Sequence, residues 1–166
     1  MAETKYGKYF IEYDAKRWPK EMRPMISRMD DSVIKGSFFY LVHWVLPGFG
    51  DKFDFEYSGH PPHIHKDAEL LFHLGTNPDD PMDLGAEVEM HMGPELERHV
   101  FNKSCCIYIP ANFIHSPWRP LKVTRPFIFI EVNQGPAHTE KSYRQVLPGE
   151  VRQRIDWSKW PDEGYE

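Results

Sequence analysis

The sequence predicts an all-β domain, a barrel or sandwich of short strands, and three observations predict it. Fifteen prolines and eleven glycines punctuate 166 residues, which disfavours long helices. Several short stretches are rich in aromatic and β-branched residues and are bounded by Gly-Pro or Asp-Pro turns. In residues 86–92 the apolar Val88 and Met90 alternate with Glu87, Glu89 and His91, the period of a half-buried strand. The length suits a single domain that buries a core without disulfides or a structural metal.

Composition narrows the function classes. Hydrophobic residues make up 40% and charged residues 27%, a globular balance. The formal net charge is −5 and the basic residues form no long stripe, so nucleic acid is not an expected partner. No apolar run approaches a membrane span; the longest, residues 38–46, carries His43 in its middle. The charged N-terminus shows no signal peptide. Cys105 and Cys106 are adjacent, so in a strand they point to opposite faces and pair poorly as a disulfide. A reduced cytoplasmic protein is expected, with both thiols buried in a strand.

Along the chain, residues 1–36 read as an N-terminal arm, with a short strand over 5–13 and irregular cover over 16–31. Residues 37–135 hold the barrel. The stretch SFFYLVHWVL (37–46) is a strand, closed by the turn Pro47-Gly48-Phe49-Gly50. Further strands are expected over 69–74, 86–92, 99–101, 104–109 and 127–132, with TNPDDPMDL (76–84) as a loop. Residues 136–166 form a C-terminal arm that packs on the domain or on a second subunit. There Val151, Ile155 and Trp157 or Trp160 line one side of a short helix.

The stretch HPPHIHKDAELLFHLG (60–75) holds four of the nine histidines and a glutamate. Imidazole and carboxylate are ligands for iron, manganese, zinc, nickel and copper, provided several converge on one point. On a strand His63 and His65 share a face, because side chains alternate. Glu69 returns to them if the strand continues or if Lys66-Asp67 makes a turn. The turn in Ile109-Pro110-Ala111-Asn112-Phe113-Ile114-His115 brings His115 back toward the same place; Asn112 suits a left-handed turn position.

These residues resemble the cupins. HIHKDAE matches the H-x-H-x(3,4)-E core of the first cupin motif, and Pro110-x-Asn112-x-x-His115 matches the P-x-G-x-x-H core of the second. The resemblance covers residues 37–132. It implies a double-stranded β-helix, the cupin or jelly-roll barrel, holding one divalent metal on His63, His65, Glu69 and His115. The spacing departs from the family pattern at Gly59 and Gly75, and Ser104, Asn112 and Arg119 replace family residues, so no particular cupin enzyme is implied.

Other polar residues are candidates around that metal. His73 shares strand parity with Glu69 and is a ligand, an acid–base group or a satisfied core histidine. Glu131 interrupts PFIFIEVN and either faces the interior, as a catalytic or ligand-orienting carboxyl, or faces solvent. His43 is a substrate-binding group in the pocket wall or a hydrogen-bonded core residue. His60 is a rim residue. The expected function is a metal-dependent enzyme acting on a small acidic or phenolic compound. Dioxygenation ranks ahead of decarboxylation and of isomerisation or lyase chemistry, with iron or manganese ahead of zinc, nickel and copper. The alternative is a non-catalytic cupin that binds or senses a small molecule. By resemblance the chain is a homodimer.

Overall fold

A computed structural model describes residues 4–13, 24–53 and 55–165. Ten strands form two five-stranded antiparallel sheets. The first sheet runs β1 (Met25–Met29), β2 (Phe39–Val45), β9 (Phe127–Asn133), β4 (Glu69–Leu74) and β7 (Cys105–Ile109). The second runs β10 (Lys141–Ser142), β3 (His63–Ile64), β8 (His115–Val123), β5 (Asp83–Met92) and β6 (Glu97–Lys103). Apart from the β1–β2 and β5–β6 neighbours, successive strands cross between the sheets, which makes the expected double-stranded β-helix.

Alternation sets the interior. In β2 the side chains of Phe39, Leu41, His43 and Val45 are buried, while Tyr40, Val42 and Trp44 point outward. Phe127 and Phe129 of β9, Leu71 of β4, Val88 and Met90 of β5 and Trp118 of β8 complete the core. Each large side chain buried there stabilises the fold by about 1.5–3 kcal/mol.

Most expected strands form, at slightly different bounds: 86–92 extends back to Asp83, and 99–101 widens to Glu97–Lys103. Four expectations need correction. Residues 5–13 hold a single 3-10 turn, Gly7–Tyr9, rather than a strand. Within the stretch expected as irregular cover, residues 25–29 form β1 and extend the first sheet, while 16–23 lie outside the described residues. Cys105 is half-buried and Cys106 exposed, because β7 is an edge strand with one face to solvent; both are free thiols. Glu89 and His91 are not a solvent-facing pair: they are 0% and 1% exposed. Arg98 and Arg119 close over Glu89, at 2.6 and 3.0 Å, and Tyr57 packs edge-on against His91. The C-terminal helix is a single short one, α1 (Gly149–Arg154), with Val151 half-buried.

The outer face of the first sheet is apolar over four strands. In register, Tyr40, Val132, Leu70 and Tyr108 form one row, and Val42, Ile130, Phe72 and Cys106 a second. Trp44, Ile128 and Leu74 form a third. No charged side chain stands in these rows. Among the described residues no helix is long and apolar enough to cross a membrane.

The segment before β3 lies flat on β8. Arg119 donates from Nη1 to the Phe55 carbonyl at 2.8 Å, and Gly59 lies so close that a Cβ there would meet the Trp118 carbonyl oxygen at 2.5 Å. That oxygen belongs to backbone and has little room to retreat. Gly59→Ala is therefore expected to destabilise the fold by about 1–3 kcal/mol, read as a lower urea midpoint at unchanged slope. An unchanged midpoint would mean that this segment is not pressed against β8.

Candidate metal centre

The two ligand motifs meet across the sheets. His63 on β3 is the register partner of His115 on β8, and Glu69 opens β4 opposite Asn133 of β9. His65 follows β3 directly. All four candidate side chains are at most 3% exposed. The ligating nitrogens of His63, His65 and His115 lie within 4.8 Å of one another. Asn112 has φ 58°, the left-handed turn that returns the chain to His115, and its amide donates to the His65 carbonyl at 2.8 Å.

Each imidazole is oriented by a carbonyl. His63 Nδ1–H donates to Pro61 O at 2.7 Å and His115 Nδ1–H to Phe113 O at 3.1 Å. His65 Nδ1–H donates to the carbonyl of Thr139 in the C-terminal arm. Carbonyls only accept, so the three Nδ1 atoms carry hydrogens and the three Nε2 atoms face inward, where each offers a lone pair once it carries no proton. Glu69 faces the same point: its oxygens lie 3.2 Å from His115 Nε2 and 3.4 Å from His65 Nε2. His63 Nε2 and His65 Nε2 are 3.2 Å apart.

These separations fit a metal ion. Two donors about 2.1 Å from one ion, at roughly 90–110° to each other, stand roughly 3.0–3.4 Å apart. The donor set of three imidazoles and one carboxylate suits iron, manganese, zinc, nickel or copper. Asn133 Nδ2 donates to Glu69 Oε1 at 3.0 Å and holds the carboxylate in place.

The electrostatics point the same way. Burial pushes the Glu69 carboxyl up, but hydrogen bonds from His115 and His65 outweigh it and hold the group well below the usual carboxylate range. Burial also lowers His65, yet its bond to Glu69 raises it to about 9. Burial, joined by the neighbouring His115, pushes His63 well below its ordinary value. Without a metal, a proton on His65 Nε2 is the cation that Glu69 holds.

The cluster sits on the wall of a cavity of about 310 Å³. Phe39, Leu41, Leu71, Trp118 and Phe129 give it an apolar side. Glu131 faces inward there, which settles its alternatives in favour of the interior. Burial and the charge of Glu69 raise its carboxyl above the ordinary value. The C-terminal arm supplies the rest of the wall. His138 lies 3.0 Å from Glu163 and 3.8 Å from both Glu131 and Glu140. Trp160 stacks on His60 at 4.4 Å, and His60 on His63 at 4.2 Å. His60, half-buried and bonded to Glu140 at 2.9 Å, is the rim residue its position suggests.

His73 and His43 are placed elsewhere. His73 is fully buried among Phe101, Phe127 and Phe129, accepts the Trp118 indole N–H at 2.8 Å, and does not line the cavity. Burial pushes it down to about 3, so it is a neutral core histidine and neither ligand nor cavity base. His43 is likewise fully buried, packs on Phe129 at 4.9 Å and does not line this cavity. Both face inward by parity, but deeper in the barrel than the metal cluster. Conversely, Asn133, His138 and Glu140 carry no expectation from the sequence, and Trp160 was expected only on one side of the C-terminal helix. Asn133 shares parity with Glu131, and His138-Thr139-Glu140 has the even spacing of a strand face, so a signal was present in each case.

The two sheets form the double-stranded β-helix that the resemblance implies. No family model matches the sequence, and neither does any curated protein. Among solved structures, the Lactobacillus farciminis oxalate decarboxylase formate complex is similar at 15% identity and a TM-score of 0.49, over 84% of this chain and 38% of that one. A putative sugar phosphate isomerase from Acidithiobacillus ferrooxidans is similar at 8% identity and 0.41, over 73% and 66%. Hydroxypropylphosphonic acid epoxidase from S. wedmorenis, in complex with fosfomycin, is similar at 19% identity and 0.38, over 66% and 48%. The chain spans about a third of the length of the oxalate decarboxylase chains it matches.

A metal must displace the His65 proton, so metal binding and proton release are linked. Affinity for manganese or zinc is expected to rise about tenfold per pH unit from pH 7 up to about 9 and then level off. Calorimetry in buffers of different ionisation enthalpy should show about one proton released at pH 7.5. Proton-independent binding would show that the metal does not take the His65 nitrogen.

Proposed function

We propose that the protein is a metal-dependent cupin enzyme that oxidises a small organic compound with dioxygen. Decarboxylation ranks second, and isomerisation or lyase chemistry after it. The observation that supports this is the convergence of three buried imidazole Nε2 atoms on the wall of a cavity, with the buried Glu69 carboxylate 3.2 and 3.4 Å from two of them. His63, His65, Glu69 and His115 would hold one divalent ion, iron or manganese ahead of zinc, nickel and copper. Held there, such an ion would supply Lewis-acid chemistry and, if iron or manganese, redox chemistry.

The chain's own residues divide the remaining work. Phe39, Leu41, Leu71, Trp118 and Phe129 exclude water and seat an apolar body. Glu131, whose carboxyl burial and the charge of Glu69 hold above the ordinary carboxylate value, faces the cavity as an acid–base group. His138, between Glu131 and the more exposed Glu163, leads from that carboxyl to solvent. A non-catalytic binding module is the second reading; the same cavity favours it if the loaded protein turns nothing over. Free thiols at Cys105 and Cys106 suit the reducing cytoplasm.

Metal content by plasma mass spectrometry is the direct test. Untagged protein is expected to carry near one equivalent of iron or manganese, lost in His63→Ala and His115→Ala, and to consume oxygen with a phenol or organic acid in a screen. Zinc or nickel without oxygen uptake would replace oxidation by decarboxylase or isomerase chemistry. No metal after reconstitution would leave only a binding barrel.

The three apolar rows outside the first sheet support a homodimer through that face. Contiguous apolar surface of a few hundred Å² on a soluble chain marks an interaction site. Light scattering after size exclusion should give about twice the chain mass, and Phe72→Glu should halve it. A monomeric wild type would discard the dimer.

A further inference from the structure

We propose that residues 158–165 are a strap that swings off the cavity to open it, that Trp160 latches the strap on His60, and that the seated strap and the bound metal hold each other in place. The strap and its latch rest on the fold alone. The coupling to metal rests on the site proposed above.

The strap is the least anchored wall of the cavity. Lys159, Trp160, Pro161 and Glu163 line the cavity, yet no residue of 158–165 is buried. Trp160 and Tyr165 are half-buried and the rest are exposed. The opposite wall is built differently. Phe39, Leu41, Leu71 and Phe129 are buried on β2, β4 and β9, each strand flanked on both sides by another. A segment with few buried apolar contacts and exposed hydrogen bonds opens locally, well below the free energy of global unfolding. Opening of the cavity therefore falls to the strap.

A short set of contacts seats it. Trp157, whose indole N–H donates to the Arg152 carbonyl at 2.8 Å, fixes the base. The strap then returns antiparallel along residues 138–142, where Glu140 and Glu163 exchange backbone hydrogen bonds at 2.8 and 2.7 Å. The Ser142 amide donates to Asp162 Oδ1 at 2.9 Å, and its hydroxyl to the Trp160 carbonyl at 3.1 Å. Gly164, at φ 65°, sits so close that a Cβ there would meet Thr139 Cγ2 at 2.9 Å. Trp160 closes the strap over the cavity by stacking on His60, ring centres 4.4 Å apart and planes 26° apart.

Two connections tie the seated strap to the ligands. His60 passes the Trp160 stack on to His63, at 4.2 Å and 21°, so the latched strap limits how the His63 ring can turn. Residues 138–142, on which the strap lies, carry the Thr139 carbonyl that orients His65 and pair with His63 and Ile64. Two of the four ligands are thus placed best when the strap is seated. A metal that prefers that arrangement must favour the seated strap in return, because coupling between sites is reciprocal. Trp160 is a positioning residue here, acting on His63 through His60.

The test follows the strap with trypsin and the metal with a zinc-chelating dye, both on full-length protein. Lys159 lies in the strap with its side chain 72% exposed, and Lys35, 90% exposed in the turn before β2, is the control. In metal-free protein, cleavage after Lys159 is expected to run well ahead of global unfolding. Zinc should slow it at least about fivefold, the low end of ordinary coupling between sites, and leave cleavage after Lys35 unchanged. Gly164→Ala, which crowds Thr139 and leaves the scissile bond alone, should speed both cleavage after Lys159 and zinc transfer to the dye. Trp160→Ala should speed zinc transfer about fivefold, and Trp160→Phe, which keeps a ring on His60, should restore the wild-type rate. Cleavage after Lys159 no faster than global unfolding would overturn the strap. Zinc transfer unchanged in Gly164→Ala and Trp160→Ala would overturn the latch and the coupling. Failure of zinc to load would instead remove the metal site and the coupling with it, while trypsin on metal-free wild type and Gly164→Ala still decides whether the strap opens.

Discussion

The constraint on which this structure depends is the burial of Glu69. A carboxylate 3% exposed must be met by positive charge or by donors, or it would cost several kcal/mol. Asn133 gives one hydrogen bond; the other neighbours are imidazoles whose Nδ1 protons are spent on backbone carbonyls. The space between the Nε2 atoms therefore suits a cation. A proton on His65 fills it incompletely, and a divalent ion fills it with four donors.

Much of the rest follows from keeping those donors in place. His63 and His115 are fixed by the β3–β8 register, and Glu69 by its pairing with Asn133. His65 lies outside regular strand and depends on the C-terminal arm: the Thr139 carbonyl receives its Nδ1–H, and Lys141 and Ser142 pair with Ile64 and His63. The arm is thus part of the metal site. It also closes the cavity with Trp160 and brings His138, Glu140 and Glu163 to it.

The fold and the meeting of His63, His65, Glu69 and His115 were legible because both rest on local signals. The strand expected over 69–74 forms at those bounds, and the spacing of His63 and His65 puts them on one face only on an extended chain. What the sequence hid is depth and long-range pairing. His73 and His43 have the right parity, but parity does not say how far down the barrel a side chain lies, and both end in the aromatic core. β1 was hidden because its five residues, MISRM, carry no alternation, and only pairing with β2 makes them a strand. His138 and Glu140 reach the cavity by a chain reversal sealed by the Glu140–Glu163 bridge, which no local pattern announces.

The chain contains its own control for the metal reading. Glu89 is as buried as Glu69, sits on a strand of the other sheet and also has a histidine, His91, at 3.2 Å. Its charge is met by Arg98 at 2.6 Å and Arg119 at 3.0 Å, two permanent cations. That carboxylate is satisfied, and its arginines would repel an added metal. Arg119 passes the benefit on by donating to the Phe55 carbonyl, which pins the segment leading to His63. Two buried glutamates in one barrel thus take opposite solutions. Guanidinium closes the outer site and makes it structural, whereas imidazoles, which give lone pairs as readily as protons, leave the inner site open to an ion and a guest.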